Sequence, residues 1–210
     1  MQKHFKESLM PAMSLLVRIV VALSITISFT VVAGNCPGAR RNMTIEAACH
    51  EVCGAATAPA RGMYQLCVDT LREEDTLAWS VVDEAGEYAQ RAAWRAIWAY
   101  LDTMGRAWHF ITGNTTALAG GEEERAAYAS CVGGRYQEAE AAMDKVRSRL
   151  PDHCGPDVAG EYKRALRDVE ACRDRVAKLK PPPPPLLAMV EADYNRTLLA
   201  YLLGKLIGVK

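Results

Sequence analysis

Seven cysteines and four histidines are the residues with the most chemical reach in this 210-residue chain. Cys49-His50-Glu51-Val52-Cys53 sets two thiols one helical turn apart, a spacing from which a zinc site can begin. A structural zinc takes four ligands, and the next candidates, Cys67 and His153-Cys154, do not repeat a paired spacing. Arg72-Glu73-Glu74-Asp75 and Glu122-Glu123-Glu124-Arg125 cluster carboxylates, but both read as helix starts, where acids complement the helix dipole. His50, His109 and His153 stand in no nucleophile or metal motif. These residues point to no catalytic site, no metal and no cofactor, and leave the cysteines as thiols or disulfides.

The compartment decides between those two. Lys3, His4, Lys6 and Arg18 precede an uncharged, mostly apolar run from Ile19 to Gly34, relieved by Ser24, Thr26, Ser28 and Thr30. It ends in Val32-Ala33-Gly34, small residues suited to signal-peptidase cleavage before Asn35. A membrane span needs ~20 residues, and this run is shorter. The sequence therefore predicts a signal peptide over 1–34, with Met10 and Met13 as alternative starts, and a secreted, extracellular mature chain. Secretion places the cysteines where thiols pair. The sequons Asn42-Met43-Thr44, Asn114-Thr115-Thr116 and Asn195-Arg196-Thr197 agree as candidate glycosylation sites. Cutting the leader removes Lys3, Lys6, Arg18 and Glu7, which turns a formal charge of zero into −2. Such a balance gives no electrostatic footprint for nucleic acid.

The elements that must position these residues are helical. Ile45–Cys53 and Met63–Leu71 each fit two turns, separated by Gly54 and Ala58-Pro59-Ala60-Arg61-Gly62, and form a hairpin too small to hold itself without a staple. Leu77, Val81, Ala85, Tyr88, Ala92, Ala96 and Ala99 make one apolar stripe down a long helix that ends near Gly105. Thr112–Gly121 is a turn-rich break. Val132, Tyr136, Ala139, Met143, Val146 and Leu150 repeat the spacing in a second helix closed by Pro151. Val158, Tyr162, Ala165, Val169, Cys172, Val176 and Leu179 run as a heptad in a third, with Pro156 in its first turn. Pro181–Pro185 is a stiff connector, and Leu187, Val190, Tyr194, Leu198, Tyr201 and Leu206 face inward on a fourth helix. The expected fold is all-α, an antiparallel up-and-down four-helix bundle (75–208) preceded by a short disulfide-closed hairpin (42–71), together one domain over 35–210. Cys131 and Cys172 lie level across the 150–156 turn, and Cys49 and Cys67 are placed to join the hairpin's helices.

Several stretches resemble the plant invertase and pectin methylesterase inhibitor family. They are Ile45-Glu-Ala-Ala-Cys49, Met63-Tyr-Gln-Leu-Cys67-Val-Asp-Thr-Leu71, Tyr128-Ala-Ser-Cys131 with Tyr136, Ala165-Leu166 with Glu170-Ala-Cys172, and Leu198–Ile207. The resemblance covers about residues 42–208. It implies the pairs Cys49–Cys67 and Cys131–Cys172, with Cys49 favoured over Cys53 by the family's register. Cys36, Cys53 and Cys154 remain unassigned; Cys36 with Cys154 would leave Cys53 free, and nothing in the sequence tests that. Trp79, Trp94, Trp98 and Trp108 depart from the family, whose first bundle helix is mostly aliphatic and small.

The resemblance implies a non-catalytic job: one-to-one docking on a plant cell-wall enzyme, either a pectin methylesterase or an acid invertase. Invertase inhibitors of the family carry Pro-Lys-Phe before the third bundle helix, where this chain reads Pro156-Asp157-Val158. Tyr64-Gln-Leu-Cys67 looks like the invertase branch, and the balance leans to pectin methylesterase. The expected contact surface is Arg135, Glu138, Lys145, Arg149, Pro156, Asp157, Glu161, Arg164 and Asp168, as exposed polar residues of the second and third helices. A non-inhibitory lipid-binding or structural role is the remaining alternative.

Overall fold

The computed structural model describes residues 36–39, 42–54, 62–73, 84–113, 121–150, 152–179 and 185–210, all within the unit Gly34–Lys210. The leader, Asn114, Leu77, Trp79, Val81, Pro151 and Pro181–Pro184 lie outside the described residues.

The hairpin is α1 (Ile45–Gly54) and α2 (Tyr64–Arg72). Thr44 starts α1, its hydroxyl accepting the backbone N–H of Ala47 at 3.2 Å. Arg72 donates to Glu46 across the hairpin. The Glu46 carboxyl is held below its usual range, first by its own backbone N–H and then by Arg72. Arg72 closes α2 rather than opening a helix, where its charge suits the negative end of the dipole.

The bundle begins with α3 (Ala85–Thr112). The helix runs past Gly105 instead of ending there, because a lone glycine weakens a helix interior without stopping it. Its inward face is Tyr88, Ala89, Ala92, Ala93, Ala96, Ile97, Tyr100, Thr103 and Ala107, and the small residues let neighbouring backbones come close.

The second rod starts earlier than the hydrophobic spacing suggests. α4 (Gly121–Ser130) passes through a π-helical segment, Cys131–Arg135, into α5 (Tyr136–Arg149) without leaving helical backbone angles at Ser130 or Tyr136. Gly133 and Gly134 lie in that segment, and their low helix propensity tolerates the one-residue bulge. Gly121, at φ 58°, supplies the left-handed entry.

α6 (Pro156–Ala177) and α7 (Pro185–Leu206) complete the bundle; Pro185 opens α7 instead of belonging to the connector, since a first-turn proline gives up no helical hydrogen bond. Side-chain pairs fix every adjacent direction as antiparallel. Gln90 donates to the carbonyl of Leu150 (3.2 Å), setting α3 beside α5. Arg149 meets Asp157 (2.7 Å) across α5 and α6. Arg173 lies 4.4 Å over the Tyr194 ring, setting α6 on α7. Thr103 donates to Asp193 (2.6 Å), closing the ring from α7 back to α3. Tyr88, Tyr100, Tyr128, Tyr136, Tyr162, Met143, Leu199 and Leu203 fill the interior.

The face α7 turns inward is not the one its largest apolar residues mark. Leu186, Val190, Asp193, Thr197, Ala200, Leu203 and Ile207 are buried, while Leu187, Tyr194, Leu198, Tyr201 and Leu206 are only partly covered. Asp193 and Thr197 interrupt the apolar run at the two positions that complete it.

Three disulfides staple the molecule. Cys49–Cys67 closes the hairpin, Cys131–Cys172 ties the π-helical segment to α6, and Cys36–Cys154 ties the N-terminal residues to the α5–α6 turn. Cys53 is a buried free thiol. Beside Cys36, Gly38 donates its N–H to the carbonyl of Ile207 (3.0 Å). A Cβ on Gly38 would stand 2.3 Å from the Leu206 carbonyl oxygen, so the strap requires glycine there.

Candidate functional site

The α5–α6 seam carries most of the polar residues singled out in the sequence. With Val146, Met143 and Ala139 of α5 and Val158, Tyr162 and Ala165 of α6 turned into the core, the positions one step away meet along the outer edge of the seam. Six residues form three cross-helix rungs, Arg135 from the end of the π-helical segment that leads into α5. Arg135 Nη1 lies 2.9 Å from Asp168 Oδ1, Lys145 Nζ lies 3.4 Å from Glu161 Oε1, and Arg149 Nη1 lies 2.7 Å from Asp157 Oδ2. Arg164 adds a looser contact to Glu161 at 3.9 Å.

At the turn end, His153 Nε2 stands 3.2 Å from the other oxygen of Asp157. Burial works against the Asp157 charge. The backbone N–H of Val158 and the His153 and Arg149 charges outweigh it and hold the carboxyl below the usual carboxylate range. Pro156 is exposed at the first turn of α6, and Glu138 is exposed on α5.

Two residues depart from the expected exposed set, Glu161, whose side chain is only 18% exposed, and, more fully, Asp168. The Asp168 side chain is only 7% exposed while that of Arg135 is 53% exposed. The aspartate anchors the arginine from below instead of offering itself to a partner. The rest of the ladder presents alternating charge on a stiff scaffold, and exposed pairs of this kind contribute only ~0.2–1 kcal/mol each to stability. Such groups can trade an internal partner for an external one at small loss.

Among the described residues no three His, Cys, Asp or Glu side chains come together as metal ligands. Burial raises the Cys53 thiol above its ordinary value, so it stays protonated and poorly nucleophilic. The exposed side chains of Asn42 and Asn195 point away from the core.

A polar layer escaped the sequence reading. Asp193, only 1% exposed, accepts hydrogen bonds from Thr103 (2.6 Å) and Tyr136 (2.8 Å), and Thr197 donates to its backbone carbonyl (2.7 Å). Tyr100 meets the Thr197 hydroxyl. The signal available was the heptad step Val190, Asp193, Thr197, Ala200, which places both polar residues inward.

No protein-family model and no curated protein sequence matches this chain. A solved structure does: a pectin methylesterase inhibitor from Arabidopsis thaliana aligns over 76% of this chain and 95% of its own, with a TM-score of 0.51 and 16% identity. The chain has the fold of that inhibitor. In that pectin methylesterase inhibitor fold, all-α with a helical hairpin on a four-helix bundle, the seam described above lies along two adjacent bundle helices. At 16% identity the likeness concerns the arrangement of helices alone.

Proposed function

We propose that the mature chain, residues 35–210 after loss of a signal peptide over 1–34, is a secreted inhibitor that docks on a plant cell-wall pectin methylesterase and blocks it. The observation that carries the reading is the shared fold with the Arabidopsis pectin methylesterase inhibitor. Three disulfides and long helices packed on buried tyrosines support it physically, because a rigid scaffold loses little conformational freedom on docking. The action is binding, one inhibitor to one enzyme, without cofactor or metal. Glycans on Asn42, Asn114 and Asn195 would suit an extracellular life. Among the described residues no helix is long and apolar enough to cross a membrane.

Arg135, Glu138, Lys145, Arg149, Pro156, Asp157, Glu161 and Arg164 are the contact residues of this reading, with Asp168 as the buried support of Arg135. Asp157 also bears on the choice of target. A carboxylate held ionised at the tip of the seam meets an acid-lined glycosidase cleft with like charge, which disfavours an acid invertase. The test is co-elution on a sizing column with a pectin methylesterase and, in parallel, with an acid invertase. A complex with the methylesterase alone supports the proposal. A complex with the invertase alone transfers it to the other enzyme, and no complex with either leaves a structural or lipid-binding bundle.

A further inference from the structure

The outward ridge of α6, opposite its buried stripe of Val158, Tyr162, Ala165 and Val169, carries a run of cations. Lys163, Arg164, Arg167, Arg175 and the C-cap residue Lys178 follow one another along it, all exposed. Arg164 reaches a carboxylate, Glu161, at 3.9 Å. The side chains of Lys163, Arg167, Arg175 and Lys178 have no ion-pair or hydrogen-bond partner among the described residues. Every other described arginine lies in an ion pair, so the unpaired guanidinium groups gather on this one ridge.

The gathering works against the helix. Lys163 with Arg167, and Arg175 with Lys178, set like charges one turn apart, where they repel. Arg175 and Lys178 are compensated by the negative end of the helix dipole. Lys163 and Arg167, in mid-helix, are not. Packing and helix formation therefore give no reason for this run, whereas a partner of opposite charge does.

We propose that the ridge binds a linear polycarboxylate, an acidic polysaccharide of the polyuronide class, laid along α6. The helical rise sets Lys163 and Lys178 about 22 Å apart, a span that suits carboxylates repeated along a chain and not a single small anion. Toward the C-terminal end of α6, Arg175 and Lys178 line an open groove of about 610 Å³ with Ala126, Ala127 and Ala171. Glu123 and Asp174 are the acids of that groove, and Asp174 is already held by Arg173 at 3.1 Å. The other ridge positions, Gly160, Ala171 and Asp174, offer no aromatic ring on which a base could stack and no large apolar side chain to enter a membrane. Three disulfides suit an oxidising, extracellular space, whose linear polyanions are acidic polysaccharides. The choice of a polysaccharide rests on the extracellular setting of the proposed function; the inhibitory seam does not enter it.

The experiment is isothermal titration of protein expressed from the full-length chain with polygalacturonate. Fully methyl-esterified pectin, duplex DNA and phosphatidylserine vesicles are run in parallel, and no methylesterase is present, so the outcome is independent of inhibition. The wild type binds polygalacturonate, more weakly as salt rises, and does not bind the esterified polymer. Lys163→Glu with Arg167→Glu weakens binding by about tenfold or more without lowering the melting temperature, and Lys163→Gln with Arg167→Gln weakens it less. Lys205→Glu with Lys210→Glu, the same change of net charge away from the ridge, leaves it intact. No binding to polygalacturonate at low salt, tighter binding to DNA or to the vesicles, or equal losses in the ridge and control variants overturns the proposal.

Discussion

Arg135 and Asp168 form a bridge of 2.9 Å whose two ends live in different surroundings, the guanidinium half in solvent and the carboxylate almost wholly buried. The burial of Asp168 depends on the arginine that caps it. Replacing Arg135 by Ala leaves a buried carboxylate with its ion-pair partner removed, and is expected to cost about 1–2 kcal/mol in urea unfolding, less than for a fully buried pair. Replacing both by Met and Leu recovers most of that loss. A single-variant loss that the double variant does not reduce would contradict the pairing.

Asp193 gives a pH signature. Burial is the main influence on its carboxyl and raises it above 3.8, against the hydrogen bonds from Thr103 and Tyr136 and the charge of Arg196. Between 3.8 and the raised value the folded protein binds this proton more tightly than the unfolded chain. Its contribution to stability is therefore fully present below 3.8 and is lost as pH rises through the folded value. The Asp193→Asn variant should stand closest to wild type near neutrality and fall behind as the solution is acidified toward 3.8. Urea midpoints at several pH values read this directly, and parallel profiles would refute it.

Gly204 and Tyr162 meet where α6 crosses α7. A Cβ on Gly204 would lie 2.8 Å from the Tyr162 ring. Gly204→Ala should cost about 1–3 kcal/mol through overpacking, visible as a lowered melting temperature. Gly160→Ala, where a Cβ meets nothing within 4 Å, should be neutral or slightly stabilising.

The Cys36–Cys154 bridge spans 118 residues, so loop entropy assigns it about 5 kcal/mol, against about 3 kcal/mol for Cys49–Cys67. Cys36→Ser with Cys154→Ser should lower stability more than Cys49→Ser with Cys67→Ser. Thiol titration of the wild type should find one reactive group, Cys53, only after unfolding. Non-reducing peptide mapping checks the pairing behind both statements.

Much of the fold was legible because periodicity coincided with burial. In α6, Val158, Tyr162, Ala165, Val169, Cys172 and Val176 of the stripe are all buried, while Leu179, its last member, lies past the helix end and is only partly covered. In α7 the rule failed where the interior is polar: Asp193 and Thr197 hold the inward positions, so apolar counting chose the neighbouring stripe. Gly105 misled for a different reason, since propensity weakens a helix locally while packing on both sides carries it through. The start of the α4–π–α5 rod was marked by Glu122-Glu123-Glu124, whereas its continuity hid behind Gly133-Gly134, which add nothing to an apolar stripe. The site was half legible. Charge and position identified the seam, but partnering is a property of the folded pair of helices, and only the coordinates show Asp168 beneath Arg135 instead of beside it. The Cys36–Cys154 bridge had no sequence signature, because Cys36 belongs to no helix and its partner is distant.

The most direct measurement is the rate of methanol release from pectin by a plant cell-wall methylesterase at mildly acidic pH, with increasing amounts of the purified protein. The proposed function predicts dose-dependent slowing, weakened when Lys145 and Arg149 are both changed to Glu and undiminished when Gly105 is changed to Arg. Unchanged methanol release across several methylesterases, with potent inhibition of an acid invertase by the same preparation, would contradict it.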